Sequence, residues 1–197
     1  MTPLRRLIIF SSLVLFVFSA TLHAAPADNL SKGVLLVATK RLNETGYEKA
    51  VIFVTEHSDA GSYGVIINRK TDVPLEDVIP EAKVRGKNKN WVYFGGPMHA
   101  QFLFVITQTH NTKGLHQVNK DIYFGAGKEA IAQVSAKKST DPFRTYAGFA
   151  SWGPGQLAEE INGGAWVLAP GDSSSLFTET SDQLWQNLMD RWAGSWI

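Results

Sequence analysis

The sequence predicts an α+β fold in which mixed and antiparallel strands carry short, dispersed helices. Two near-continuous apolar runs, GVLLVAT at 33–39 and AVIFVTE at 50–56, read as strands, the first of them buried on both faces. Ser58-Asp59-Ala60-Gly61 has the chemistry of a tight turn, and SYGVIIN at 62–68 returns as the second arm of a hairpin. The helical periodicities are short and fall irregularly between the strands, which argues against a regularly alternating α/β chain.

The remaining elements follow in order. Pro74 opens one or two helical turns over 75–79, and Pro80 ends them. Residues 81–90 form the most polar stretch, with Lys83, Arg85, Lys87 and Lys89, and read as a solvated loop or a partner-docking patch. Residues 91–94 make a short strand that runs into the tight turn Gly95-Gly96-Pro97. Strands are expected at 102–107 and 117–124, joined by a polar connection over 109–114. Ala130, Ile131 and Val134 share one face of a helix over 128–134, and a strand over 143–150 follows.

That strand enters FASWGPGQLAEEINGGAWVLAP at 149–170, the stretch around which the chain is organised. Gly153, Pro154 and Gly155 break the strand. A helix over 156–161 then places Leu157 and Ile161 on one face, and Asn162-Gly163-Gly164 stops it. A buried strand resumes at 165–169, and Phe149, Trp152 and Trp166 are expected to pack around the turn. A last helix spans 180–192: Thr180 and Gln183 form a capping box, and Leu184, Trp185, Leu188 and Trp192 make a stripe that reads as core-facing, with a binding face as the alternative.

At 197 residues, with 44% hydrophobic and 11% aromatic content, one substantial core is expected, and residues 28–197 read as a single domain. Residues 1–27 differ. Arg5 and Arg6 precede an apolar run at 7–18 and then small residues, the layout of a signal peptide cleaved between Ala24 and Ala27 or kept as an anchor. The run is shorter than the roughly 20 apolar residues of a membrane span, so none is expected in the mature chain. A periplasmic or otherwise exported protein is the expectation, with the cytoplasm as the alternative. Losing Arg5 and Arg6, and no acid, turns the formal charge of +1 into −1. A near-neutral domain is not built as an electrostatic nucleic-acid binder. The absence of cysteine excludes disulfides, thiol catalysis and cysteine-based zinc sites.

Most catalytic patterns fail on inspection. Gly125-Ala126-Gly127-Lys128 resembles the end of a phosphate-binding loop, yet Ile122 and Glu129 stand where that loop needs Gly and Ser or Thr, which leaves a helix-start turn. Ser151 is expected on a strand-to-helix turn, but Phe149 replaces the first glycine of a nucleophile elbow. His57, His99, His110 and His116 are scattered without metal-ligand spacing, so no metal and no cofactor is expected. Glu159 and Glu160 on the short helix read as a solvated face or salt-bridge partners, with paired catalytic acids as the alternative.

Several landmarks in one order identify the chain as similar to the YqgE/AlgH family of bacterial proteins. They are GVLLVAT at 33–39, Glu56-His57, GVIINR at 64–69, YFGGP at 93–97, GFASWGPGQLAEEI at 148–161, and Ala165-Trp166. The resemblance covers residues 32–193. It implies one α+β domain whose sheets form a barrel-like core with flanking helices, and it brings no established enzymatic activity. Some members are described as transcriptional regulators, notably of alginate synthesis, although this sequence shows neither a helix-turn-helix nor a basic surface. This chain departs from the family pattern in its apparent export signal, in Ser151 where glycine is common, and in Lys40 where proline is usual.

The leading functional expectation is a non-enzymatic ligand-binding or adaptor protein. Its site would gather His57, Asn68, Arg69, Gly95, Gly96, Trp152 and Gln156, which lie at strand ends and turns. Arg69 would bind a small anion, Gln156 would orient it, and Trp152 would supply an apolar wall. The alternatives are a hydrolase or oxidoreductase using His57 or Glu56 near the same turn, and an envelope protein acting through protein contacts alone.

Overall fold

Alternation of inward and outward side chains explains how one curled sheet serves three cores. The computed structural model describes residues 26–82, 90–137, 141–178 and 181–196. The strands are β1 (Val34–Ala38), β2 (Val51–Ser58), β3 (Gly61–Ile66), β4 (Lys70–Pro74), β5 (Trp91–Phe94), β6 (Met98–Thr107), β7 (Leu115–Gln117), β8 (Tyr123–Ala126), β9 (Phe143–Trp152) and β10 (Trp166–Pro170). The helices are α1 (Leu75–Val78), α2 (Lys128–Ala136), α3 (Gln156–Asn162) and α4 (Ser181–Trp192).

The strands run in the order β10-β1-β2-β3-β9-β6-β8-β7, with β5 beside β9 and β4 beside β5. Every pairing is antiparallel except β5 with β9. The fold is α+β, a curled and mainly antiparallel sheet forming a half-barrel with a few helices against it. Because strand side chains alternate between faces, Leu35, Val37, Val51, Phe53 and Val65 pack on one side with Leu184 and Leu188 of α4. Leu36, Ile52, Val54 and Ile66 pack on the other side with Leu157 and Ile161 of α3. A third cluster joins Leu75 of α1 and Ile131 of α2 to Val92, Leu103 and Val105. The double coverage explains the unbroken hydrophobicity of β1, where Leu35 through Ala38 are fully buried.

β9 changes the face it presents at Gly148, whose φ is +73°. Tyr146 lies in the α4-side cluster, whereas Ala150 and Trp152, of the same parity, lie in the α3-side cluster. The left-handed glycine acts as a bulge that re-aims the rest of the strand. Here β5 ends between β3 and β9: Ile66 N–H donates to Gly95 O at 2.8 Å, and Gly95 N–H donates to Ala147 O at 2.7 Å. A Cβ on Gly95 would overlap the carbonyl of Gly148, one on Gly148 the carbonyl of Gly96, and one on Gly96 the backbone of Phe149. Two separate glycine motifs of the sequence are thus one backbone crossing.

Several sequence expectations are revised. The single strand expected at 117–124 is two, β7 and β8, joined by a turn in which Val118 N–H donates to Ile122 O at 2.9 Å. Asn119 Oδ1 accepts from Asp121 N–H within that turn, and Asn119 Nδ2 reaches Gly171 O at 2.7 Å. Val118 and Ile122 both bury into the core, so the turn imitates a strand in its apolar pattern. β4 went unpredicted because KTDVP is polar and ends in proline, as suits a strand on the periphery of a sheet. β6 starts four residues earlier than expected, at Met98. The predicted N-cap Thr180, the leader before Pro26, and Lys83, Arg85, Lys87 and Lys89 lie outside the described residues.

Candidate functional site

The seven predicted site residues fall into three groups. His57 lies opposite Ser62, which lies opposite Trp152, so these three neighbour one another across β2, β3 and β9. His57 Nδ1 and Ser62 Oγ are 2.8 Å apart. Gln156 joins them from the start of α3, where its Oε1 accepts from Gly153 N–H at 3.1 Å and caps the turn. Asn68 and Arg69 sit at the far end of the same strands. Asn68 accepts from Val51 N–H and donates to Lys49 O, both at 2.9 Å, and holds the entry to β2. Val51 and His57 are six residues apart on β2, about 20 Å at the usual strand rise. Arg69 donates to Glu48 O at 3.3 Å, with its guanidinium 6.0 Å from the centre of the Phe94 ring. Gly95 and Gly96 form the backbone crossing described above.

A ledge of polar and aromatic side chains spans part of the gap between the two ends. Glu160 of α3 is its centre: Oε2 accepts from Trp152 Nε1 at 3.0 Å and from Trp166 Nε1 at 2.8 Å, while Oε1 accepts from Gln156 Nε2 at 3.0 Å. The Tyr47 ring meets Trp166 edge-on at 5.8 Å. Burial raises the Tyr47 phenol above its ordinary value, the Glu160 carboxylate adds to this, and Arg69 opposes it. The sequence suggested a solvated face or a salt bridge for Glu160; its carboxylate instead anchors two indoles. Phe149, expected beside those indoles, projects to the opposite side of the sheet, within 5.9 Å of the Tyr63 ring. Ser151 is paired to Tyr63 inside β9 rather than exposed on the turn. Gly127 is the N-cap of α2, so the phosphate-loop lookalike is a helix-start turn. Among the described residues, no cluster of three or more His, Asp or Glu side chains could hold a metal ion.

The α4 side carries a feature that the sequence reading missed. Among the described residues, Tyr63, Val73, Met98 and Phe102 are the large hydrophobic side chains left exposed, and three of these four share one patch. Tyr63 contacts Phe149; His99 stacks on Phe149 at 5.9 Å and on Phe102 at 5.1 Å; Met98 lies opposite Phe149. Phe149 roots the patch in the core through an edge-on contact with Phe104, which stacks on Phe124. The outer residues are displayed because β6 leaves β9 between Met98 and Leu103: four residues of β6 span the interval that Gly148 alone spans on β9. His99 adopts a left-handed conformation in this arch, with φ of +48°. A cleft of about 330 Å³ adjoins the arch, lined by Gln101 to Phe104 and by Ala126, Gly127 and Lys128.

Comparison with known proteins places the chain. Residues 35–196 match the family described as AlgH-like. A "UPF0301 protein" of Mycobacteroides abscessus is 30% identical over 174 residues, covering 85% of this chain and 83% of that protein. One from Streptomyces coelicolor is 32% identical over 172 residues, covering 82% and 86%. The crystal structure of a Corynebacterium diphtheriae protein superposes with a TM-score of 0.69 at 28% identity, covering 82% of this chain and 87% of that one. The solution structure of AlgH from Pseudomonas aeruginosa gives a TM-score of 0.68 at 21% identity, over 81% and 87%, and supports the fold alone. This chain belongs to the AlgH-like family, whose biochemical function is undefined.

Proposed function

We propose that this protein is a non-enzymatic adaptor that works outside the cytoplasm and binds another protein through the patch formed by Tyr63, Met98, His99 and Phe102. The observation that carries this reading is the exposure of those side chains: Tyr63 is 49% exposed, Met98 42% and Phe102 50%, around a ring that packs into the core. Aromatic and methionine side chains are enriched where proteins meet, and a contiguous exposed apolar patch marks such a site. An anchored platform also binds with little loss of side-chain freedom. Of the residues expected to form a small-anion pocket, Asn68 holds two backbone groups, Gln156 caps a turn, and the Trp152 indole, expected as an apolar wall, donates to Glu160. Export rests on Arg5, Arg6 and the apolar run after them.

The test uses the protein tagged at its native locus, with Tyr63→Ser/Phe102→Ser beside the wild type. A partner recovered in fixed stoichiometry with the wild type, and lost with an equally stable double variant, supports the contact reading. A small molecule retained by both proteins in native mass spectrometry favours the anion site instead. The denatured mass of the same preparation checks export, since a cleaved chain lacks its leader.

A further inference from the structure

Resting on the contact reading above, we propose that Met98 is an oxidation site: conversion of its thioether to the sulfoxide by hydrogen peroxide releases the partner from the patch. The chain has no cysteine and three methionines, so no thiol within it competes for the oxidant. Met1 lies outside the described residues, and Met189 of α4 is half-buried against the α4-side cluster. Met98 is exposed, at the point where β6 leaves β9. An oxidant must reach a lone pair on sulfur, so exposure directs peroxide to Met98 ahead of Met189.

The step balances between the two reactants. A lone pair of the Met98 sulfur attacks one peroxide oxygen, the O–O bond breaks and an S–O bond forms. The departing hydroxide takes the proton of the transferred oxygen and leaves as water. Sulfur loses two electrons and peroxide gains them.

Position gives the change its consequence. Met98 lies opposite Phe149, and residues directly opposite across paired strands project to one face. The Tyr63 and His99 rings contact Phe149 on that same face. The thioether offers apolar, adaptable surface there. A sulfoxide carries a strong dipole that holds water, and covering it without a hydrogen bond is unfavourable. Met98 lies outside the buried core, so oxidation alters the patch and leaves the packing beneath it in place. The linkage is reciprocal: a partner that prefers the thioether also shields it while bound.

The test begins with purified full-length protein in graded hydrogen peroxide, with peptide mass spectrometry following Met98 and Met189. Met98 is expected to gain oxygen well before Met189. Equal rates at the two sulfurs, or slower reaction at Met98, overturn the proposal. In the host, a photoreactive residue at 63 reports partner contact before and after a brief peroxide pulse, with Met98 intact or replaced in Met98→Leu. The adduct is expected to fall about tenfold with Met98 intact. With Met98→Leu it stays at its own starting level, whatever that level is, because leucine has no sulfur to oxidise. An adduct unchanged by the pulse, or lost equally with Met98→Leu, overturns the oxidation site and leaves the contact reading standing. No adduct before the pulse overturns both.

Discussion

Trp152 and Trp166 meet edge to face, with ring centres 6.1 Å apart, and donate to the same carboxylate oxygen of Glu160. One acid thus ties the end of β9, the start of β10 and the helix between them into a unit. Trp152 is 7% and Trp166 3% exposed, so neither indole has an adequate substitute acceptor in solvent. Glu160→Ala strands two buried N–H groups and is expected to cost about 2–4 kcal/mol. Glu160→Gln keeps an acceptor and costs about 1 kcal/mol. Urea unfolding followed by tryptophan fluorescence checks the order of the two.

The glycine crossing gives a second contrast. Gly148→Ala forces a Cβ against the carbonyl of Gly96 at a φ of +73°, and neither backbone can retreat without opening the sheet. The expected loss is about 4 kcal/mol or more, seen as insoluble or unfolded protein. Gly155, with φ of +74°, has nothing within 4 Å of its hypothetical Cβ. Gly155→Ala should therefore cost only the left-handed penalty, about 1–2 kcal/mol, and remain folded.

Much of this framework was legible in the sequence, for identifiable reasons. β1 and the β2–β3 hairpin announce themselves because double burial demands unbroken apolar runs and the turn demands Asp59, Ala60 and Gly61. α3 was legible because Gly155 and Gly163-Gly164 punctuate it. The β7–β8 turn was not, since Val118 and Ile122 fold inward from a turn and preserve a strand-like pattern. The face switch at Gly148 was equally hidden: a glycine in a strand signals a bulge only once its neighbours are known, and Phe149 was misplaced as a result. The candidate site was read from polar residues at turns, which is also where a fold needs hydrogen bonds for its own chain. The aromatic patch left no such signal, because Tyr63 and Phe102 read as ordinary strand residues and Met98 as part of the connection after the Gly95-Gly96-Pro97 turn, until the arch of β6 exposes them.

Asn68 tests structural duty against ligand binding. Its amide satisfies Val51 N–H and Lys49 O, so Asn68→Ala is expected to cost about 1–3 kcal/mol. Asn68→Asp keeps the bond to Val51 but sets a carboxylate against the Lys49 carbonyl, and is also destabilising. Thermal melts check both; unchanged stability in either variant would contradict the assigned role.

Stability should fall at alkaline pH. Tyr146 is fully buried, and burial raises its phenol well above the ordinary tyrosine range, with the Arg144 guanidinium opposing the shift. Tyr47 is raised as well. In the unfolded chain both phenols ionise near pH 10, whereas in the folded protein they hold their protons to higher pH. Below pH 10 the two states bind the same phenolic protons; above it the unfolded state binds fewer, and stability declines as pH rises. Chemical denaturation between pH 9 and about 11.5 should show this slope, and Tyr146→Phe should flatten it.

Partner contact is expected on the Tyr63–Phe102 face and not beside α3. Photo-crosslinking in the host, with the reactive residue at 102 or at exposed Glu159 of α3, compares the two faces directly. A discrete partner adduct from 102 and none from 159 is the expected result. An adduct from 159 with none from 102 would contradict it and move the functional surface to the Glu160 ledge.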